Sequence, residues 1–180
     1  VEEIDTRVSL ERLDETHSGR YAMFLYTCEP FFVDKTCYKS LNDDLRERNP
    51  TKLKLWRPFL YYMNEILKSL SDFKGIVFRG MRMPDNIAEY SDDKTIHWSA
   101  YSSTSQSAEV AKGFATKSGV VFRIKLVNGK NIQPVSWFGK AEGEILLHPN
   151  MRFLVSKPMY QQDGYNFIDL QQIPMDVVWT

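Results

Sequence analysis

Three groups of residues have the types and spacing to do chemistry. Arg79 interrupts the apolar run 75–80 (GIVFRG) and is followed by Gly80. A charge among Ile76, Val77 and Phe78 must be paired or solvated. A planar guanidinium makes bidentate bonds to oxyanions, so a bound phosphate meets that need, and a glycine beside it would let a ligand come close to the backbone. The alternative is an edge-strand arginine turned to water or to a carboxylate. The second group is Tyr101-Ser102-Ser103-Thr104-Ser105, whose consecutive hydroxyls can orient side chains or ligand hydroxyls. The alternative there is a polar turn in which Ser105 caps a helix beginning near Ala108. The third is Glu142-Gly143-Glu144 ahead of Ile145-Leu146-Leu147. Strand alternation puts the two glutamates on one side, where paired carboxylates can divide catalytic roles. The alternative is a solvated loop.

Composition narrows the classes of ligand. The 180 residues carry 23 Lys+Arg against 23 Asp+Glu, a net charge of zero. That balance lacks the basic footprint of a nucleic-acid binder and of a polybasic membrane patch. No apolar run reaches the roughly 20 residues of a membrane span. Cys28 and Cys37 are the two cysteines. They fit one bridge in an oxidising compartment or two free thiols in the cytosol, and two thiols without neighbouring histidines make no zinc site. His17, His97 and His148 lack a triad partner pattern and read as structural. The chain opens on Val1, which points to a processed form or an excised domain.

These residues need elements to position them. Val8, Leu10 and Leu13, then Tyr21, Phe24 and Leu25, read as short helices broken at Ser18-Gly19. Residues 34–48 put Tyr38, Leu41 and Leu45 on one helical face. Asn49-Pro50 stops that helix and Thr51 can cap the next. The next helix has a stripe of Leu55, Phe59, Leu60, Met63, Ile66, Leu67 and Leu70, with Pro58 expected to kink it or mark its start. Strands are expected at 75–80, 120–127, 144–148, 152–156, 165–170 and 175–179, with a turn at Asn128-Gly129 and a late helix near 108–115. Helices first and strands later make this an α+β chain, read as one domain over residues 1–180, mainly helical to residue 72 and mainly β from 73.

In this order the groups resemble the arginine–serine–glutamate class of mono-ADP-ribosyltransferases, which includes vertebrate ecto-transferases and clostridial actin-modifying toxins. The resemblance rests on Arg79-Gly80, on Tyr101 followed by Ser103-Thr104-Ser105, on Phe114 eleven residues after Ser103, and on Glu142-Gly143-Glu144 leading into Ile145. Leu25-Tyr26-Thr27 and Tyr38-Lys39-Ser40-Leu41-Asn42 are also similar to the ecto-transferase helical region. The resemblance implies a helical part packed on two facing β-sheets, with NAD as co-substrate in the cleft between them and no metal. It implies transfer of ADP-ribose to an accessible arginine of a protein, with release of nicotinamide, by a monomer.

Arg79 would bind the diphosphate, Gly80 would offer backbone groups to the nicotinamide carboxamide, and Phe114 would stack on the nicotinamide ring, its alternative being a core aromatic. Ser103 would hold Glu144 by a hydrogen bond. Glu144 would stabilise an oxocarbenium-like ribose, and Glu142 would bind the target guanidinium and help remove its proton, which arginine's pKa above 12 makes necessary. Ser136-Trp137-Phe138-Gly139 would contact the target or merely cover the core edge. Hydrolysis of NAD by water, or NAD binding without turnover, are the alternatives. The four-cysteine framework of secreted vertebrate members is absent, so extracellular and cytoplasmic residence both stay open.

Overall fold

The computed structural model describes residues 15–28, 36–137 and 143–174. The expected apolar helix around Val8–Leu13 and the strand at 175–179 lie outside them. Three helices come first: α1 (Glu15–Thr27), α2 (Cys37–Glu47) and α3 (Pro50–Ser69). The strands are β1 (Asp72–Met81), β2 (Thr95–Trp98), β3 (Ser102–Ser105), β4 (Val120–Asn131), β5 (Glu144–Leu147), β6 (Met151–Gln162) and β7 (Tyr165–Ile173), with α4 (Ala108–Ala115) between β3 and β4. The α+β order holds.

Local chemistry accounts for most of the boundaries, and it corrects several expectations. Helix α1 runs unbroken through Ser18-Gly19. A Cβ on Gly19 would sit 2.9 Å from Ile66 Cβ, so this glycine is where α1 presses against α3. Asn49, not Thr51, caps α3: its side-chain oxygen accepts from the N–H groups of Thr51 and Lys52, with Pro50 in the first turn. Such a cap contributes about 1 kcal/mol. Pro58 lies inside α3 and does not start it. Leu55 is 80% exposed, and Trp56 takes its place on the buried side, donating to Asp44 at 2.8 Å and edging onto Phe59. Asn128-Gly129 is not a turn, because β4 continues to Asn131 and pairs Gly129 with Phe73, next to a register shift whose extra residue lies in β4. The β6–β7 hairpin instead turns at Asp163-Gly164, both with positive φ, as Asp-Gly favours.

The strands hydrogen-bond in the order β1-β3-β5-β4-β7-β6-β2, with β1 also paired along β4. They form two layers. The broad one is β1-β4-β7-β6-β2, in which β4 and β7 run parallel. The narrow one is the β3–β5 ribbon, tied to the broad layer at Phe78↔Ser105 and at Lys130↔Leu146. Alternation in β5 explains its place. Ile145 and Leu147 pack with Phe122, Ile124, Phe153 and Ile168 of the broad layer, while Leu146 packs with Met23, Tyr26, Met63 and Leu67 of the helices. The ribbon is therefore a middle layer with both faces buried. A one-residue slip would turn Glu144 toward the apolar side, and each buried Leu or Ile contributes roughly 1.5–3 kcal/mol against it.

Candidate active site

The ribbon sets the geometry. Phe78 of β1, Ser105 of β3 and Glu144 of β5 are successive register partners. With strands about 4.8 Å apart, that row spans roughly 10 Å, and Arg79 follows Phe78. Arg79, Gly80, Ser103, Thr104, Ser105, Phe114 and Glu144 all line one open cleft of about 490 Å³. Its opposite wall comes from α1 and α2 through Tyr26, Thr27, Tyr38, Asn42 and Arg46. One wall is thus helical, where the sequence led to a cleft between two sheets alone: the cleft forms where the ribbon, clamped in the middle, meets α1 and α2 at its open end.

Arg79 is half-buried. Its Nη1 donates to the Ser103 carbonyl at 2.6 Å, and its guanidinium lies 5.9 Å from the Trp98 ring centre. No carboxylate of the described residues pairs with it. Burial lowers its pKa, Arg46 pulls in the same direction, and the phenols of Tyr26 and Tyr38 pull back. A guanidinium is effectively always protonated in a protein, so the group carries its charge at neutral pH. The result is a cation held by one carbonyl and a ring face, with the rest of its donor fork unused.

Glu144 is 6% exposed, and its carboxylate accepts from Ser136 Oγ at 3.2 Å. The expected bond from Ser103 is not made. Ser103 sits opposite Leu146, one side-chain repeat beyond Glu144, is exposed, and contributes its carbonyl to Arg79. Thr104 donates to the Ile145 carbonyl at 2.6 Å and locks the ribbon. Ser105 accepts from the Ser107 N–H, and Ser107, not Ser105, caps α4. Gly80 also differs from expectation: a Cβ there would lie 1.7 Å from the Ala111 carbonyl oxygen. The space it leaves is filled by α4. That close approach brings Phe114, 64% exposed, to the cleft, so it is not a core aromatic. Glu142 and the segment Phe138–Gly139 lie outside the described residues.

The helical wall holds one buried polar atom that has no partner among the described residues. Asn42 is 5% exposed and donates from Nδ2 to the Tyr26 hydroxyl at 3.0 Å, while its Oδ1 is buried with no partner. Burial drives the Tyr26 pKa upward, so the phenol stays neutral. Tyr26 edges onto Tyr38 and Tyr101, with ring centres 6.3 and 5.6 Å away. An orphaned acceptor costs about 1–3 kcal/mol, which a ligand donor would recover. Of the cleft residues, Tyr26, Tyr38 and Asn42 stood in the sequence by resemblance without a role. Arg46 of the cleft was missed, as were two residues outside its lining that touch site side chains, Trp98 beside Arg79 and Ser136 as the partner of Glu144.

The family model for NAD:arginine ADP-ribosyltransferases matches residues 9–176. The chain belongs to the NAD:arginine ADP-ribosyltransferase family. The transferase uses NAD as co-substrate and moves ADP-ribose to arginine of a protein substrate, releasing nicotinamide. Its fold is similar to that of the Vis toxin, an ADP-ribosyltransferase from Vibrio splendidus, at 21% identity and TM-score 0.71, over 91% of this chain and 76% of that one. It is similar to HopU1 of Pseudomonas syringae pv. tomato at 22% identity and TM-score 0.69, over 86% and 76%. It is also similar to the C3 exoenzyme of Clostridium limosum at 17% identity and TM-score 0.67, over 87% and 85%. No match is found among curated proteins.

Proposed function

We propose that the transferase runs its reaction in this cleft as one catalytic domain and a monomer, with Arg79, Gly80, Ser103, Phe114, Glu142 and Glu144 as its site residues. The observation that supports this best is the convergence on one cleft of a cation that no carboxylate of the described residues pairs with and a buried, hydrogen-bonded Glu144. The unpartnered Asn42 Oδ1 and the exposed Phe114 ring fit a dinucleotide, which brings both donors and a flat ring. When bound, NAD supplies an ADP-ribosyl group whose ribose gains positive charge as nicotinamide leaves.

Arg79 binds the diphosphate with the fork left over from the Ser103 carbonyl. Gly80 presents backbone to the carboxamide, and Phe114 covers the ring. Ser103 supports the site through its backbone, which fixes Arg79. Glu144 is fixed before the reaction, so its negative charge stabilises the transition state more than the ground state. Glu142, two residues earlier, binds the acceptor guanidinium and takes its proton. That role rests on spacing and resemblance, and it selects a protein arginine over water as acceptor.

The test is incubation of the transferase with labelled NAD and a protein mixture, followed by mass spectrometry of the labelled sites. ADP-ribose on arginine side chains is the expected product. Free ADP-ribose alone would make the protein an NAD glycohydrolase. Tight NAD binding with no turnover would make it a binding module.

A further inference from the structure

We infer that Ser136 is a positioning residue for Glu144 and that helix α1 holds it in place through Thr27. The inference rests on Glu144 being the carboxylate that acts on the ribose. Six contacts carry it. Ser136 Oγ donates to Glu144 Oε2 at 3.2 Å. The next residue, Trp137, donates its backbone N–H to Thr27 Oγ1 at 2.9 Å, and Thr27 Oγ1 in turn donates to the Met23 carbonyl inside α1. The Trp137 ring meets Phe24 of the same helix edge-on, with centres 4.8 Å apart. The turn itself is closed by Ser136 N–H to the Ile132 carbonyl at 2.9 Å, and Ile132 N–H reaches back to the Glu144 carbonyl at 3.3 Å.

These contacts close a loop in space. Glu144 is fixed at its backbone by β3 and by Ile132, and at its side chain by Ser136. Ser136 is fixed at its own backbone by Ile132 and, one residue on, by Thr27. A carboxylate at the end of two methylene groups has rotamer freedom that its backbone pairing cannot remove. A hydroxyl donor anchored on two sides restricts that freedom, and preorganised charge is what stabilises a developing cation. Thr27 is 7% exposed, so its hydroxyl is committed to these bonds and not to solvent. Its place at the end of α1 makes the N-terminal helix part of the apparatus that orients Glu144.

The test is steady-state nicotinamide release over a range of NAD concentrations for the full chain and for S136A, S136T, T27V, T27S and E144Q. A hydrogen bond to a charged group, lost only from the oriented state, predicts a roughly ten- to hundredfold lower kcat for S136A, with KM for NAD within about twofold. S136T restores most of the rate because it restores the hydroxyl. T27V, close in shape but without the acceptor, lowers kcat in the same way, and T27S recovers it. E144Q is inactive. A purely structural Ser136 would predict otherwise: S136T as slow as S136A, or S136A within twofold of the parent, overturns the inference while an inactive E144Q keeps the reading of Glu144. Unchanged kcat in T27V overturns the α1 anchor. Normal release by E144Q overturns both that reading and the inference built on it.

Discussion

Arg79 illustrates how far one side chain can be read. A charge in an apolar strand demands a partner, and among the described residues it meets the Ser103 carbonyl and the Trp98 face and no carboxylate. If the remaining donors hold a diphosphate, Arg79→Ala raises the Kd for NAD roughly ten- to a hundredfold, since hydrogen bonds to charged groups contribute about 1.5–3 kcal/mol each. The thermal midpoint should stay within a few degrees of the parent's. Arg79→Lys recovers little, because a point charge does not replace a planar fork. Calorimetry decides: unchanged affinity in Arg79→Ala would leave the arginine as a brace for β3 and nothing more. Arg79 was legible because its charge conflicts with its surroundings. Ser136 was not, since a serine in a turn is ordinary and its target lies eight residues on in another element. Ser103 lines the cleft, but which of its atoms is used depends on strand register, which no spacing rule contains.

At the scale of elements, Gly80 couples strand β1 to helix α4. A methyl group there would collide with the Ala111 carbonyl oxygen and approach the Ala115 N–H at 2.8 Å, both of them backbone. Gly80→Ala must therefore push α4 outward. Overpacking of this kind costs about 1–3 kcal/mol, and α4 carries Phe114 away from the cleft. The variant is expected to melt several degrees lower and to bind NAD more weakly; parental values for both would mean that α4 has slack at this contact. Periodicity found the helices and the long strands because burial on one face writes a repeat into the sequence. It failed where tertiary contact overrides local preference. Gly19 reads as a break but is a helix crossing, and Gly129 reads as a turn but pairs in a strand. Strand β2, four residues at the sheet edge, was too short to show a pattern.

For the whole molecule, stability depends on pH through His148, which follows β5. Burial and nearby Lys130 push its pKa down to about 4, with Asp72 opposing. An imidazole with a folded pKa below its unfolded value of 6.5 contributes its full stability above that value and loses it as pH falls toward 4. At about 1.4 kcal/mol per pH unit, about 3 kcal/mol is at stake between those limits. Denaturant unfolding of the parent and of His148→Gln at pH 7 and pH 4 tests this. The variant should lose less stability on acidification by about that amount, and identical losses would assign the acid sensitivity elsewhere. The layered fold that buries His148 also brings the helical wall, the ribbon and α4 to one cleft, and the proposed division of work between two glutamates breaks NAD there and passes its ADP-ribose to arginine. Its most direct test measures nicotinamide release and arginine-bound label together for Glu144→Gln and Glu142→Gln. Glu144→Gln is expected to lose both, whereas Glu142→Gln loses the label by about 10²–10⁴-fold and keeps most of the nicotinamide release. Equal loss of both activities in both variants, or nicotinamide release at the parental rate in Glu144→Gln, would contradict it.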